Sequence, residues 1–129
     1  MNKIQLIGRT VANPELIKTP NDKSVCRMTL AVNRRFKNAD GERETDFISI
    51  TIWGKSAENF VSYVKKGALI AVEGEIRTRS YVDKTEQKRY ITEVLCLSYE
   101  MLESRAAIAL RQGKEVEPEI ELDAEELPF

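Results

Sequence analysis

Eight residues near the middle of the chain restrict its fold more than any others: Asp46-Phe47-Ile48-Ser49-Ile50-Thr51-Ile52-Trp53. Strict alternation with β-branched residues specifies a strand. Side chains alternate across a strand, so Ile48, Ile50 and Ile52 share one face while Phe47, Ser49, Thr51 and Trp53 share the other. The three isoleucines claim the core. The opposite face then lies outside, and it presents two aromatic rings separated by small hydroxyl residues, an unfavourable exposure unless something covers them.

The flanking sequence supplies the partners that such a strand needs. Lys3 to Arg9 reads as a strand with Ile4 and Leu6 on one face, and Gly8 is a candidate bend. Breaks follow at Asn13-Pro14 and Pro20-Asn21-Asp22. From Ser24, the residues Cys26, Met28, Leu30 and Val32 alternate with Arg27, Thr29 and Ala31, giving a second strand that ends near Phe36. Asn38-Ala39-Asp40-Gly41 carries the chemistry of a turn, because glycine there tolerates positive φ. Thr45 to Trp53 forms the third strand. Ala57, Phe60, Val61 and Val64 then follow helical spacing, with Lys65-Lys66-Gly67 as a basic, glycine-stopped C-terminus. Leu69 to Tyr81 is a fourth strand, Val82 to Lys88 a loop, and Arg89 to Tyr99 a fifth. Ala106 to Arg111 adds a short helix. Five strands with a helix between the third and fourth match the order of an OB-fold, a small all-β Greek-key barrel suited to oligonucleotides. The 129 residues fit one such domain of about 100 residues plus an appendage.

Charge divides the chain unequally. Residues 115–129 hold seven acids and no base, while the preceding 114 residues hold all 20 bases and the other 14 acids, a net +6 hidden beneath the overall −1. A basic body with an acidic tail suits a polyanion ligand for the body and a separate use for the tail. A solvated surface with a solubility tail fits the charge equally well.

Parity on the fourth strand turns Ile70, Val72 and Ile76 inward and Glu73, Glu75, Arg77, Arg79 and Tyr81 outward. Phe36 sits among Arg34, Arg35 and Lys37. Aromatic planes beside cations are what single-stranded nucleic acid requires, since unpaired bases stack on rings while phosphates follow Lys and Arg. The alternatives are an OB-fold scaffold whose outer rings serve protein assembly, and an RNA-binding barrel.

Other chemistries find little support. Gly54-Lys55-Ser56 resembles the end of a phosphate-binding loop, but Ser49 stands where that loop needs glycine and the intervening residues are stiff strand. No histidine is present for a triad or a zinc set, and Cys26 and Cys96 lie in apolar runs without Cys-x-x-Cys spacing, as reduced core residues. Nothing calls for a catalytic residue, a cofactor or a metal. No uninterrupted apolar stretch is longer than that from Ala68 to Val72, far below the ~20 residues of a bilayer span. With no secretory signal visible, a cytoplasmic, nucleoid-associated location without membrane contact is the expectation.

Several stretches resemble the bacterial single-stranded DNA-binding protein family: Asn13-Pro14-Glu15, Phe47 to Lys55 followed by Ala57-Glu58, Lys66-Gly67, Glu73-Gly74, and Arg77-Thr78-Arg79 shortly before Tyr81. The chain also ends in Glu125-Glu126-Leu127-Pro128-Phe129, which is similar to that family's acidic tip. The resemblance implies a homotetrameric OB-fold protein, not an enzyme, that wraps single-stranded DNA with little sequence preference and serves replication, recombination and repair. Its stacking positions fall on Phe36, Phe47, Trp53 and Tyr81, and its cationic positions on Lys55, Lys66, Arg77 and Arg79, beside Arg34, Arg35 and Lys37. Ser49 stands where some members carry a base, and Phe and Tyr occupy some stacking sites where others have tryptophan. The implied organisation is a DNA-binding domain over 1–105, a short linker over 106–122, and a protein-interaction tip over 123–129. In that tip Leu127, Pro128 and Phe129 enter an apolar pocket of a DNA-processing enzyme, and Asp123, Glu125 and Glu126 steer the approach. The long linker of many relatives is missing, which suggests a secondary or phage-encoded paralogue, one used in DNA uptake and transformation.

Overall fold

A computed structural model describes residues 1–113. Its elements are β1 (Ile4–Thr10), β2 (Leu16–Lys18), β3 (Ser24–Lys37), β4 (Arg43–Trp53), α1 (Lys55–Tyr63), β5 (Leu69–Val82), β6 (Lys88–Met101) and α2 (Arg105–Gly113). β1 pairs with β5, β5 with β6, β6 with β4, β4 with β3, and β3 returns to β1, so five strands close a ring to which β2 is appended. All of these pairings are antiparallel except β4–β6, where Ile50 and Thr51 run parallel beside Val94 and Leu95. This is the five-stranded OB-fold barrel expected from the order of elements.

Alternation puts the interior where the isoleucines require it. Ile50 and Ile52 are fully buried together with Cys26, Leu30, Phe60, Val64 and Ile70, while Ile48, Ile4 and Leu6 pack partly buried against this cluster. α1 closes the barrel through Ala57 and Phe60, whose ring meets Tyr99 edge-on at 4.9 Å. Both cysteines are free and buried, and burial pushes the Cys96 thiol up to about 11.

The structure departs from the expectations at several points. β2 occupies the stretch between the two expected breaks, where no element is expected; its three exposed residues carry no apolar periodicity, and pairing with β3 alone makes it a strand. The helix stops earlier than its apolar spacing suggests: Val64 is extended (φ −96°, ψ 131°) so that its side chain enters the core, and Gly67 (φ 83°) serves the next turn. Gly8, the candidate bend, is a point of close approach: a Cβ there would lie 2.3 Å from the Ala31 carbonyl oxygen. Ile76 shares a face with buried Val94 but is 43% exposed, because the β5–β6 hairpin runs on past the end of the barrel. The turn at Asn38–Gly41 is as expected: Asn38 Oδ1 accepts from the N–H groups of Asp40 and Glu42, and Gly41 has φ 80°. The short helix expected at Ala106–Arg111 is α2. The stretch 123–129, with Asp123, Glu125, Glu126, Leu127, Pro128 and Phe129, lies outside the described residues.

Candidate nucleic-acid interface

Cross-strand partners share a face of the sheet, so the register assembles the outer surface residue by residue. On β4, Phe47, Ser49, Thr51 and Trp53 face outward beside Ala31, Thr29, Arg27 and Val25 of β3. On β5, Arg77, Arg79 and Tyr81 stand beside Glu93, Ile91 and Arg89 of β6. The parallel contact of Thr51 with Leu95 joins the two halves into one continuous platform. Phe47 and Trp53 therefore occupy the same surface as Tyr81, Arg77 and Arg79, although β6 lies between β5 and β4 in the sheet.

The rings on this surface are open to solvent: Phe36 is 80% exposed, Phe47 67%, Tyr81 46% and Trp53 42%. Phe36 lies on the β3–β4 arm, where β3 gains residues relative to β4 between Asn33 and Lys37. There the Arg35 guanidinium sits 5.9 Å from its ring centroid. Among the outward residues of β4, Thr51 is the exception. It is 3% exposed, because its hydroxyl donates to Glu93 Oε2 at 3.0 Å, and the same carboxylate accepts from Arg79 Nε at 3.2 Å.

The cationic residues divide by partnership. Arg34 is tied to Glu44 at 2.6 Å and to Asp46 at 3.0 Å, and its hydrogen bond holds the Asp46 carboxyl below its ordinary range. Arg77 pairs with Glu75 at 2.7 Å and Arg79 with Glu93. Among the described residues Arg35, Lys37, Lys55 and Lys66 enter no ion pair, which leaves their charge for a ligand. Lys55 opens α1 two residues after Trp53. Lys66 stands in the α1–β5 turn, where its N–H donates to Asn13 Oδ1 at 2.7 Å. Sequence reasoning passed over Tyr90, 74% exposed with the Lys88 ammonium 5.6 Å from its ring. It also missed Arg27 and Glu93, whose place on the platform depends on register; for Tyr90 the available signal was an aromatic directly after two cations, Lys88 and Arg89. Gly54 (φ 72°) follows residues that are strand, so Gly54-Lys55-Ser56 forms no phosphate-cradling loop.

Among the described residues no group of acids and cysteines could hold a metal ion, and no helix is long and apolar enough to cross a membrane. An aromatic and cationic platform on an OB barrel is suited to stack bases and to balance phosphates. Comparison with known proteins points the same way. The model of the single-strand binding protein family matches residues 1–102. The chain is 57% identical to single-stranded DNA-binding protein 1 of Streptococcus pyogenes serotype M6, across 99% of this chain and 98% of that one. It is 53% identical to single-stranded DNA-binding protein 2 of Streptococcus agalactiae serotype V, again across 99% and 98%. Protein 1 of the same S. agalactiae strain is 47% identical over 82% of this chain but only 65% of its own length. With the match running through the whole barrel and every platform residue, the chain belongs to the single-strand binding protein family.

Proposed function

We propose that this protein binds single-stranded DNA without catalysis and with little sequence preference. Bases stack on Phe36, Phe47, Trp53 and Tyr81, and phosphates follow Arg35, Lys37, Lys55, Lys66, Arg77 and Arg79, with Arg34 holding the β3–β4 arm in shape through its acids. The observation that carries this reading is the continuity of the outer face across β3, β4, β6 and β5, which lines exposed rings beside cations. Names of the relatives support DNA as the ligand. The protein assembles as a homotetramer in this reading; β1 supports it by leaving the second edge of Ile4–Gly8 without a strand partner among the described residues. The tip at 123–129 recruits replication, recombination and repair enzymes. Likeness in full length to the shorter of two S. agalactiae proteins supports a secondary paralogue, and in this reading its role is in DNA uptake and transformation.

The test uses the single tryptophan. A thymidine oligomer is titrated into the protein at low and moderate salt while Trp53 fluorescence is followed. Strong quenching, with affinity falling as salt rises, is the expected result. An unchanged signal with no binding would return the outer rings to the protein-assembly reading, and tighter binding of a matched RNA oligomer would favour the RNA reading.

A further inference from the structure

Beside Trp53 the surface opens into a cleft of roughly 410 Å³ between the β2–β3 turn and the start of α1, lined by Trp53, Lys18, Lys23, Ser24, Asp22 and Glu58. Its polar groups are ordered. Ser24, only 4% exposed, accepts from the Lys18 ammonium at 2.8 Å and donates from Oγ to Glu58 Oε2 at 3.0 Å. This relay holds an ammonium and a carboxylate in fixed relation beside an indole. Among the described residues Glu58 Oε1 accepts no hydrogen bond, and an ammonium has two more protons to give once one is committed to Ser24.

An aromatic ring with an acceptor and a donor at its side is complementary to a planar heterocycle that is read at its edge. The four bases differ there. Guanine presents two adjacent donors, N1–H and the N2 amino group, which match a carboxylate, followed by the O6 acceptor, which matches an ammonium. Cytosine and adenine offer one amino donor next to a ring acceptor. Thymine flanks its single N3–H with two carbonyls, so any approach turns an acceptor toward the carboxylate. We propose that this cleft reads the edge of the base stacked on Trp53 and favours guanine over thymine there, one discriminating position in an otherwise sequence-tolerant surface. The proposal rests on Trp53 being a stacking residue of the DNA path.

The test compares a thymidine oligomer with one of equal length carrying isolated guanines, as competitors for a labelled strand, using the full chain. The expected result is a preference for the guanine-bearing strand of about tenfold in the wild type. The preference should fall close to unity in Glu58→Gln, whose carboxamide no longer offers two acceptors. Lys18→Met, which keeps Glu58, should show the smaller loss of a single donor and serves if Glu58→Gln does not fold. Equal affinity of the wild type for both strands, or an undiminished preference in both variants, would overturn the proposal while leaving the stacking platform standing. Failure of both strands to bind would overturn the proposal and the stacking platform together.

Discussion

At the scale of single residues, exposure and parity pick out the rings on which the proposed stacking depends. Trp53 sits at the end of β4, 42% exposed, with Lys55 two residues on and the cleft of Glu58 and Lys18 at its side. Replacing it by alanine should weaken binding of a thymidine oligomer by about 1 to 3 kcal/mol, measured by competition at fixed salt. Unchanged affinity would remove it from the stacking set. Thr51 shows the limit of parity: it lies on the outer face as alternation requires, but Glu93 from a neighbouring strand covers it. Alternation assigns a face, whereas burial depends on what the next strand lays across it.

At the scale of elements, two details govern the β5–β6 hairpin that carries Arg77, Arg79 and Tyr81. The first is the irregularity between Glu73 and Gly74, where Leu97 on β6 is left without a partner. A Cβ on Gly74 would lie 2.0 Å from the Leu95 carbonyl oxygen, so backbone must move. Gly74→Ala should therefore destabilise the barrel by about 1 to 3 kcal/mol in urea unfolding, the cost of overpacking a filled site. A wild-type midpoint would mean that the two strands can part at little cost. The second detail is the turn at 83–87. Hydrogen bonds from Thr85 and Arg89, with the Gln87 N–H, hold the Asp83 carboxyl at about 2, below its ordinary 3.8. A carboxyl depressed in the folded state contributes stability above its ordinary value and loses it as pH falls toward the depressed one. The Asp83 carboxyl resonance should titrate near 2, and Thr85→Ala should move the midpoint upward. A wild-type midpoint at 3.8 would mean that these bonds do not persist in solution.

At the scale of the whole molecule, the proposed function gives the basic body and the acidic tail separate tasks. Deleting Leu127, Pro128 and Phe129 should leave affinity for a thymidine oligomer unchanged and abolish capture of DNA-processing enzymes in a pull-down. Retained capture would reject the tip assignment. The barrel was legible from sequence because period-two alternation at Ile48, Ile50 and Ile52 and at Cys26, Met28 and Leu30 is a local consequence of burying one face of a strand. The aromatic and cationic set was legible for the same reason: Phe47, Trp53, Tyr81 and Arg79 stand on the face that the core rejects. What no local pattern carries is contact between strands. Strand pairing ran Leu16–Lys18 along β3 and left Ile76 beyond the barrel end, and burial of the Val64 side chain in the core ended α1 before it. Strand pairing likewise placed Glu93 between Arg79 and Thr51, and brought Lys18 and Ser24 to Glu58 beside Trp53. A strand's alternation determines which side chains share a face, but only closure of the barrel decides which strand lies beside it, and so which charges meet which rings.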